Sequence, residues 1–474
     1  MPKNKRAVEI GVGQLTLTFG LSLKDDAQET QDNGPSASIE PAVVVSKPIR
    51  KKKWNSLIDK VYAPGNLAKA WERVRENNGA CGSDGMTVET FGSAAEQRLA
   101  TLAADLRAKT YRPQPVRRKL IPKGGGGMRP LGIPSVRDRI VQQAVLQILE
   151  PVFEPIFSTR SHGFRPGRGC ATALSVVDRA IAAGYTHVVD ADIQSFFDTV
   201  DHEKLLDAVN EEVADGSLLK LIRLILTAGV WMPATGEIEP TNLGTPQGGP
   251  LSPLLANIYL HRLDRTLMAA KYGLVRYADD FVIFARSEEE ARAALCLAEQ
   301  VLTGELGLTL HPEKTRVVSV DDGFEFLGFH YFRYAKKDVM CKEVRRKSVA
   351  RFRDAVRMRT PRLRAQRRVK PKRLTLARLR KNDRVMGLIE RLNPFLQGWH
   401  GYFKHVRLPF RQPFKALDEF VRRRLRSSIV GRTGNGWWTA QLSNAMLGQL
   451  GLVSVEKLHD AYLMSSRPAH ARKG

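Results

Sequence analysis

Leu274-Val-Arg-Tyr-Ala-Asp-Asp-Phe-Val-Ile-Phe284 consists of two short apolar runs that meet at adjacent acids. The runs predict strands and the acids predict a tight turn, so the segment reads as a β-hairpin with Asp279 and Asp280 at its tip. Paired Asp at a turn is also ordinary turn chemistry. Upstream, His187-Val-Val-Asp-Ala-Asp-Ile193 is a second apolar strand, and it carries Asp190 and Asp192. Ionised carboxylates in buried strands are expensive to desolvate and raise one another's pKa, unless a divalent cation gathers their charge. Hard oxygen ligands are what Mg²⁺ prefers. Two such ions about 3.5 to 4 Å apart serve phosphoryl transfer, one lowering the pKa of an attacking hydroxyl, the other neutralising a leaving pyrophosphate. Asp192 and Asp279 are the expected bridging ligands if their strands are neighbours in one sheet. Asp280 is expected as a weaker or outer ligand.

Outward from these strands, residues 110 to 335 mix short β-rich runs with helices such as Ser217 to Thr227, which predicts an α+β core. Beyond residue 340 charge takes over: 19 Lys and Arg stand against three acids between Lys342 and Arg384. Apolar residues such as Phe352, Val356 and Leu363 interleave with them, so the stretch reads as a basic helical domain that tracks phosphates rather than a solvated face. The whole chain, 474 residues with 75 Lys and Arg against 49 Asp and Glu, carries a formal +26. That surplus is most simply matched by a polyanion, and nucleic acid is the first candidate. No run of 18 uncharged apolar residues is present to span a bilayer. The four cysteines are far apart without a Cys-x-x-Cys pair, which predicts neither a zinc site nor a disulfide framework and points to a reducing, cytosolic setting.

Residues 1–52 are expected to form a disordered arm, since Ser, Gln, Asp, Pro and Ala dominate after residue 24. Within it Leu15, Leu17, Phe19, Leu21 and Leu23 alternate with small or polar residues, a period suited to an added strand. A helical stretch follows near Leu57 to Asn77, then a Gly-rich loop from Asn77 to Gly85 that reads as a hinge or lid.

Six further strings lie in order along the chain: Ile121-Pro-Lys-Gly-Gly-Gly-Gly-Met-Arg-Pro-Leu-Gly-Ile-Pro134, Gly163-Phe-Arg-Pro-Gly-Arg168, Thr245-Pro-Gln-Gly-Gly-Pro-Leu-Ser-Pro253, Leu310-His-Pro-Glu-Lys-Thr315, Phe326-Leu-Gly-Phe329 and Gly398-Trp-His-Gly-Tyr402. With the two acidic segments, they resemble the group II intron-encoded reverse transcriptase/maturase family over about residues 55 to 465. The resemblance implies a right-hand polymerase architecture: an N-terminal extension and fingers at 53–180, a palm with an antiparallel sheet at 181–338 with some interleaving, an α-helical thumb or maturase domain at 339–430 and a DNA-binding region at 431–474. It implies an RNA-directed DNA polymerase that takes two Mg²⁺ ions, with Ile193 joining Asp192, Asp279 and Asp280 in the metal set. Its partners would be intron RNA, target DNA with its primer, and dNTPs, in a bacterial cytoplasm close to the nucleoid. The activity would serve splicing and retrohoming by target-primed reverse transcription. Two other readings are an RNA-binding splicing factor with a secondary polymerase centre and a reverse transcriptase recruited to host defence or repair.

The same resemblance assigns roles residue by residue. Lys123 and Arg129 flank four glycines and would close over a triphosphate; a solvated basic loop is the plain alternative. Gln247 matches the residue beside the incoming nucleotide, and Phe196 the ring that excludes a ribose 2′-hydroxyl, although it reads equally as a core Phe. Lys314 would protonate or neutralise pyrophosphate. Arg165 would touch template or nucleotide unless an internal ion pair holds it, and Lys347, Arg351, Arg367 and Arg368 would bind nucleic acid. Trp399, His400, Tyr402, Phe403, Trp437 and Trp438 read as core aromatics or as RNA-stacking rings beside Arg422, Arg423, Arg424 and Arg426. No cysteine follows Cys341, so no C-terminal His- and Cys-containing nuclease is expected. Gln14-Leu-Thr-Leu-Thr-Phe19 resembles peptides that bind the bacterial sliding clamp, with Gln14, Leu17 and Phe19 as its contacts.

Overall fold

The computed structural model describes residues 8–12, 15–19, 53–122, 127–361, 375–408, 413–430 and 442–465. Its centre is built from the two acidic segments. β5 (His187–Asp192) pairs antiparallel with β9 (Asp280–Ala285), flanked by β8 (Gly273–Tyr277) and β10 (Arg316–Ser319) in the order β10-β5-β9-β8. Both faces of this sheet are covered, which explains why its strands read as nearly continuous apolar runs. Val189, Ala191, Phe281 and Ile283 enter one core with the helices Ser252–Ala269 and Glu288–Glu299. Their neighbours Val188, Val282 and Phe284 face a second core, shared with the helix Cys170–Ala182 and the C-terminal helices. The period of two thus divides each strand between two cores, and Asp190, Asp192 and Asp280 fall in step with the second set.

A second sheet, β4-β3-β6-β7, comprises β3 (Val116–Pro122), β4 (Met128–Ile133), β6 (Val230–Trp231) and β7 (Ile238–Glu239). Two of its strands come from residues within the span read as palm. The third sheet, β11 (Phe324–Phe326), β12 (Phe329–Tyr334) and β13 (Val339–Val344), is antiparallel throughout. Leu327 at φ +48 and Gly328 at φ +82 make its first turn, a two-residue loop with both residues left-handed, which accounts for Phe326-Leu-Gly-Phe329. This sheet corrects the expectation that β structure ends near residue 340. Val339–Val344 pairs back on β12 from Phe329↔Val344 to Tyr334↔Val339, so a boundary at 338/339 cuts a hairpin.

The basic stretch then begins as the helix Arg346–Arg359, which packs with Asp383–Phe403 and Pro413–Val430. Trp399 and Phe403 are 3% and 1% exposed, with Trp399 packed at a tilt against Phe352 and Phe403 at 4.7 and 4.6 Å between ring centres. These aromatics are core, and His400 is buried with them. Several of the arginines beside them are also spent on the protein: Arg424 donates to the Thr360 carbonyl at 2.7 Å, and Arg426 to Leu442 and Asn444 at 2.9 and 2.6 Å. Trp437 and Trp438 lie outside the described residues.

The Asn77–Gly85 loop corrects another expectation. A Cβ on Gly82 would lie 2.5 Å from Ser135 Cα, Arg139 donates to the Ala80 carbonyl at 2.7 Å, and Ser83 Oγ to Pro115 at 2.6 Å. Close packing of small residues docks this loop on the start of the helix Val136–Phe153 instead of leaving it as a hinge. In the N-terminal arm, β1 (Val8–Val12) pairs antiparallel with β2 (Leu15–Phe19), so the alternation read there does form a strand. Among the described residues no helix is long and apolar enough to cross a membrane.

Candidate active site

Strand pairing brings the acids together. Asp192, last in β5, is the cross-strand partner of Asp280, first in β9, and Asp279 sits in the turn beside them after Ala278 at φ +59. The expected adjacency of the two strands is therefore met. Burial raises the Asp279 carboxyl above its ordinary value, with Asp192 adding to the rise and Arg129 and Arg276 opposing it. Asp280 is pushed up to about 8, first by burial and then by Asp279, Asp190 and Asp192. Asp190 rises to about 6 for the same leading reason, although Arg316 lies 3.3 Å from it. Burial is the leading cause at all three, and the neighbouring acids add to it.

The donor set is all carboxylate oxygen, which suits a hard divalent cation. Among the described residues no three Asp, Glu, His or Cys side chains are gathered tightly enough to hold an ion as they stand. Lys314 Nζ sits 2.6 Å from Asp192 Oδ2, so an ion at Asp192 must replace that ammonium. The neighbouring main chain is fixed, with Ile193 bridged to Leu310 and the Asp192 carbonyl accepting from His311 N at 2.7 Å.

Cations gather near the acids from two elements. Arg129 on β4 is half-buried; burial lowers its pKa, and Asp279 and Asp198 push it back. Arg345, just before the helix Arg346–Arg359, acts on Asp280 and pairs with Glu325 at 3.5 Å. Arg351, one turn further on, is depressed by burial and then by Arg345 and Arg129, and its Nε is buried with no hydrogen-bond partner among the described residues. Arg345 and Asp198 escaped the sequence reading. The available signal was position alone: Asp198 closes Ser195-Phe-Phe-Asp198 directly after β5, and Arg345 opens the cluster Arg345-Arg346-Lys347.

Gln247 lies in the turn before the helix Ser252–Ala269, as expected, and its carbonyl accepts from Gly132 N of β4 at 3.0 Å. Gly248 at φ +133 has no room for a side chain, since a Cβ would lie 2.7 Å from the Gly132 carbonyl. Phe196 follows the left-handed Ser195 but is 2% exposed, edge-on to Phe197 at 5.1 Å. The structure places this ring in the core rather than on an open surface. Arg165 is corrected outright as a nucleic-acid contact. Its side chain is 2% exposed, forks onto Glu154 at 2.7 Å, donates to the Ser158 and Ser161 carbonyls and covers the Phe157 ring. Lys347 is exposed on its helix. Lys123, Arg367, Arg368 and Gln14 lie outside the described residues, and Leu17 and Phe19 are placed only as members of β2. A separate cleft of about 350 Å³, lined by Phe153, Lys204, Glu211, Tyr259 and Glu305 among others, contains none of the three acids.

Residues 121–331 match the family model for reverse transcriptase (RNA-dependent DNA polymerase), and 367–442 match that for the group II intron maturase-specific domain. The group II intron-encoded protein LtrA of Lactococcus lactis is 38% identical over 242 residues, covering 49% of this chain and 40% of LtrA. Protein YkfC of Escherichia coli K12 is 33% identical over 317 residues, covering 58% of this chain and 83% of YkfC. A chain of a partial Cas6-RT-Cas1–Cas2 complex shares 28% identity over 52% of this chain and 41% of its own, at a TM-score of 0.35, too loose a likeness to bear on the assignment. The chain thus spans about two fifths of LtrA's length. With both family models matched in order and most of YkfC covered, this chain belongs to the group II intron-encoded reverse transcriptase/maturase family.

Proposed function

We propose that this chain is an RNA-directed DNA polymerase that copies RNA by two-metal nucleotidyl transfer, and that it binds its group II intron RNA to assist splicing and retrohoming. The observation that carries the polymerase reading is the pairing of Asp192 with Asp280 beside Asp279, three acids on neighbouring strand ends with raised pKa values at two of them. Asp192, Asp279 and Asp280, with Ile193 beside them, would hold the two Mg²⁺ ions, which when bound lower the pKa of a primer 3′-hydroxyl and neutralise pyrophosphate. The chain's own residues do the rest. Asp192 and Asp279 orient the attacking oxygen toward the α-phosphorus. Arg129, already drawn toward Asp279, meets the triphosphate charge from the side of β4 together with Lys123. Gln247 borders the nucleotide from its tethered turn. Lys314 Nζ, released from Asp192, gives its proton to the departing pyrophosphate.

The maturase match over 367–442 and the basic run before it support the RNA-binding half of the reading. Lys347 and Arg351 on the helix Arg346–Arg359 would track phosphates of the RNA and of target DNA with its primer. A sliding-clamp contact through Gln14, Leu17 and Phe19 rests on the sequence string alone. Bacterial cytoplasm is the setting such partners require. The test is primer extension on an RNA template. The wild-type chain should extend with Mg²⁺ and dNTPs, and Asp279→Asn should lose at least a thousandfold in rate while keeping its affinity for intron RNA. Retained extension in Asp279→Asn refutes the site.

A further inference from the structure

Arg276, next to last in β8, is fully buried, and so is its partner Asp264; both are 0% exposed. The two Asp264 oxygens take Nε and Nη2 at 2.6 Å each. A dry ion pair returns little net stability, and an apolar pair of the same volume often does as well. The remaining guanidinium contacts show what this one holds. Nη1 donates to Asn257 Oδ1 at 3.0 Å and to the main-chain carbonyl of Ala278 at 2.9 Å. Ala278 is the residue before Asp279, and it stands in the left-handed region at φ +59, where a residue with a side chain is strained by about 1 kcal/mol.

The grip continues beneath the turn. Asn257 Nδ2 donates to the Gly163 carbonyl at 2.9 Å, and a Cβ on Gly163 would lie 2.5 Å from Ala278 N. The main chain of Arg276 is fastened on its outer edge as well, its N–H to the Arg160 carbonyl and its carbonyl to His162 N–H, both at 2.9 Å. Two segments distant in sequence, the helix Ser252–Ala269 and the loop at 160–163, therefore converge on the end of β8 and the turn that follows it.

We propose that Arg276, locked in place by Asp264 and Asn257, is a positioning residue that sets the height and direction of the Asp279 carboxylate by holding the Ala278 carbonyl. The inference rests on the reading of Asp279 as a metal ligand. Because Asp264 compensates the guanidinium, the turn is held by a net-neutral clamp that leaves Asp279 free to ligate. Asp279 would touch the metal, whereas Arg276 reaches neither metal nor substrate and acts by holding the turn.

Two variants test it in the full-length chain: Asp264→Leu with Arg276→Met, which replaces the pair by apolar volume, and Asn257→Ala, which removes one arm of the lock. Each is measured by melting, intron RNA affinity, KM for dNTP, and Mn²⁺ binding followed by electron paramagnetic resonance without nucleotide. The expected result is a cooperatively folded chain with RNA affinity and KM within threefold of wild type, Mn²⁺ affinity at least fivefold weaker, and kcat at least tenfold lower. If the double variant does not fold, Asn257→Ala alone decides. A folded variant with wild-type Mn²⁺ affinity overturns the positioning role. Asp279→Asn separates the two readings: if it retains extension the site assignment fails, whereas a dead Asp279→Asn beside an unaffected clamp variant removes only the present inference.

Discussion

Asp280 faces Asp192 directly across the β5–β9 ladder, so two acids occupy a cross-strand pair. Like charges in that position destabilise a sheet. Burial and its three acidic neighbours raise Asp280 to about 8, far above its unfolded value. A raised carboxyl binds its proton more tightly in the folded state. The stability it contributes is present below the unfolded pKa and drains away as pH climbs towards 8. Asp280→Asn should therefore melt close to wild type below about pH 4 and progressively above it as pH rises toward about 8, where the gap levels off, in the absence of Mg²⁺. Melting curves across that range check this, and a gap that stays constant with pH would exclude Asp280 as its source.

The same protons predict a metal linkage. An ion bound at these acids favours their charged forms, so at pH 7 Mg²⁺ binding should release protons, more than at pH 9 where Asp280 is already ionised. Calorimetric titration in buffers of different ionisation enthalpy reads the number directly. Buffer-independent heats at pH 7 would contradict it.

Lys314 supplies the resident positive charge at Asp192. Lys314→Met should therefore tighten Mn²⁺ binding in the absence of nucleotide by removing a competitor. The same change should lower kcat at saturating Mg²⁺ by about 10² to 10⁴, the usual scale of a lost general acid. Direct metal titration and single-turnover extension separate the two effects, and a rise in affinity without a fall in rate would leave Lys314 a counter-cation only.

How much of this was legible in advance depends on whether a feature is local. The alternation of Val188, Val189, Asp190, Ala191 and Asp192 announces a strand, and the acids in it announce chemistry, because both are read within six residues. The helix over Gly216–Leu226 follows from an equally local pattern, and so does the hairpin, although its turn is Ala278–Asp279 and Asp280, expected at the tip, is the first residue of β9. Arg276 inside Leu-Val-Arg-Tyr gave no such sign. Its meaning lies in Asp264 and Asn257 on a separate helix, and a basic residue in an apolar run does not disclose its partner. Arg165 illustrates the opposite error: Gly-Phe-Arg-Pro-Gly-Arg looks like an exposed basic loop, and only the fold turns Arg165 inward onto Glu154. The docking of Gly82 against Ser135 was hidden for a related reason, since glycine signals freedom in a sequence and close contact in a packed structure alike.

Arg165 makes a prediction that distinguishes scaffold from interface. Its guanidinium is enclosed by Glu154, two main-chain carbonyls and the Phe157 ring, with no face turned to solvent. Arg165→Ala should cost about 3 to 5 kcal/mol of stability, since it strips Glu154 of its partner and leaves the two carbonyls unsatisfied. It should leave the slope of log affinity for intron RNA against log salt unchanged, because no phosphate contact is lost. Arg351→Ala should behave in the opposite way. Its guanidinium is crowded by Arg345 and Arg129, so removing it relieves repulsion in the free protein and should leave melting unchanged or raised. The salt slope should fall by about one, the value for a single lost phosphate contact. Parallel denaturation and salt-titrated RNA binding of the two variants test the contrast. A reduced salt slope for Arg165→Ala in a chain still folded would return that residue to the RNA surface.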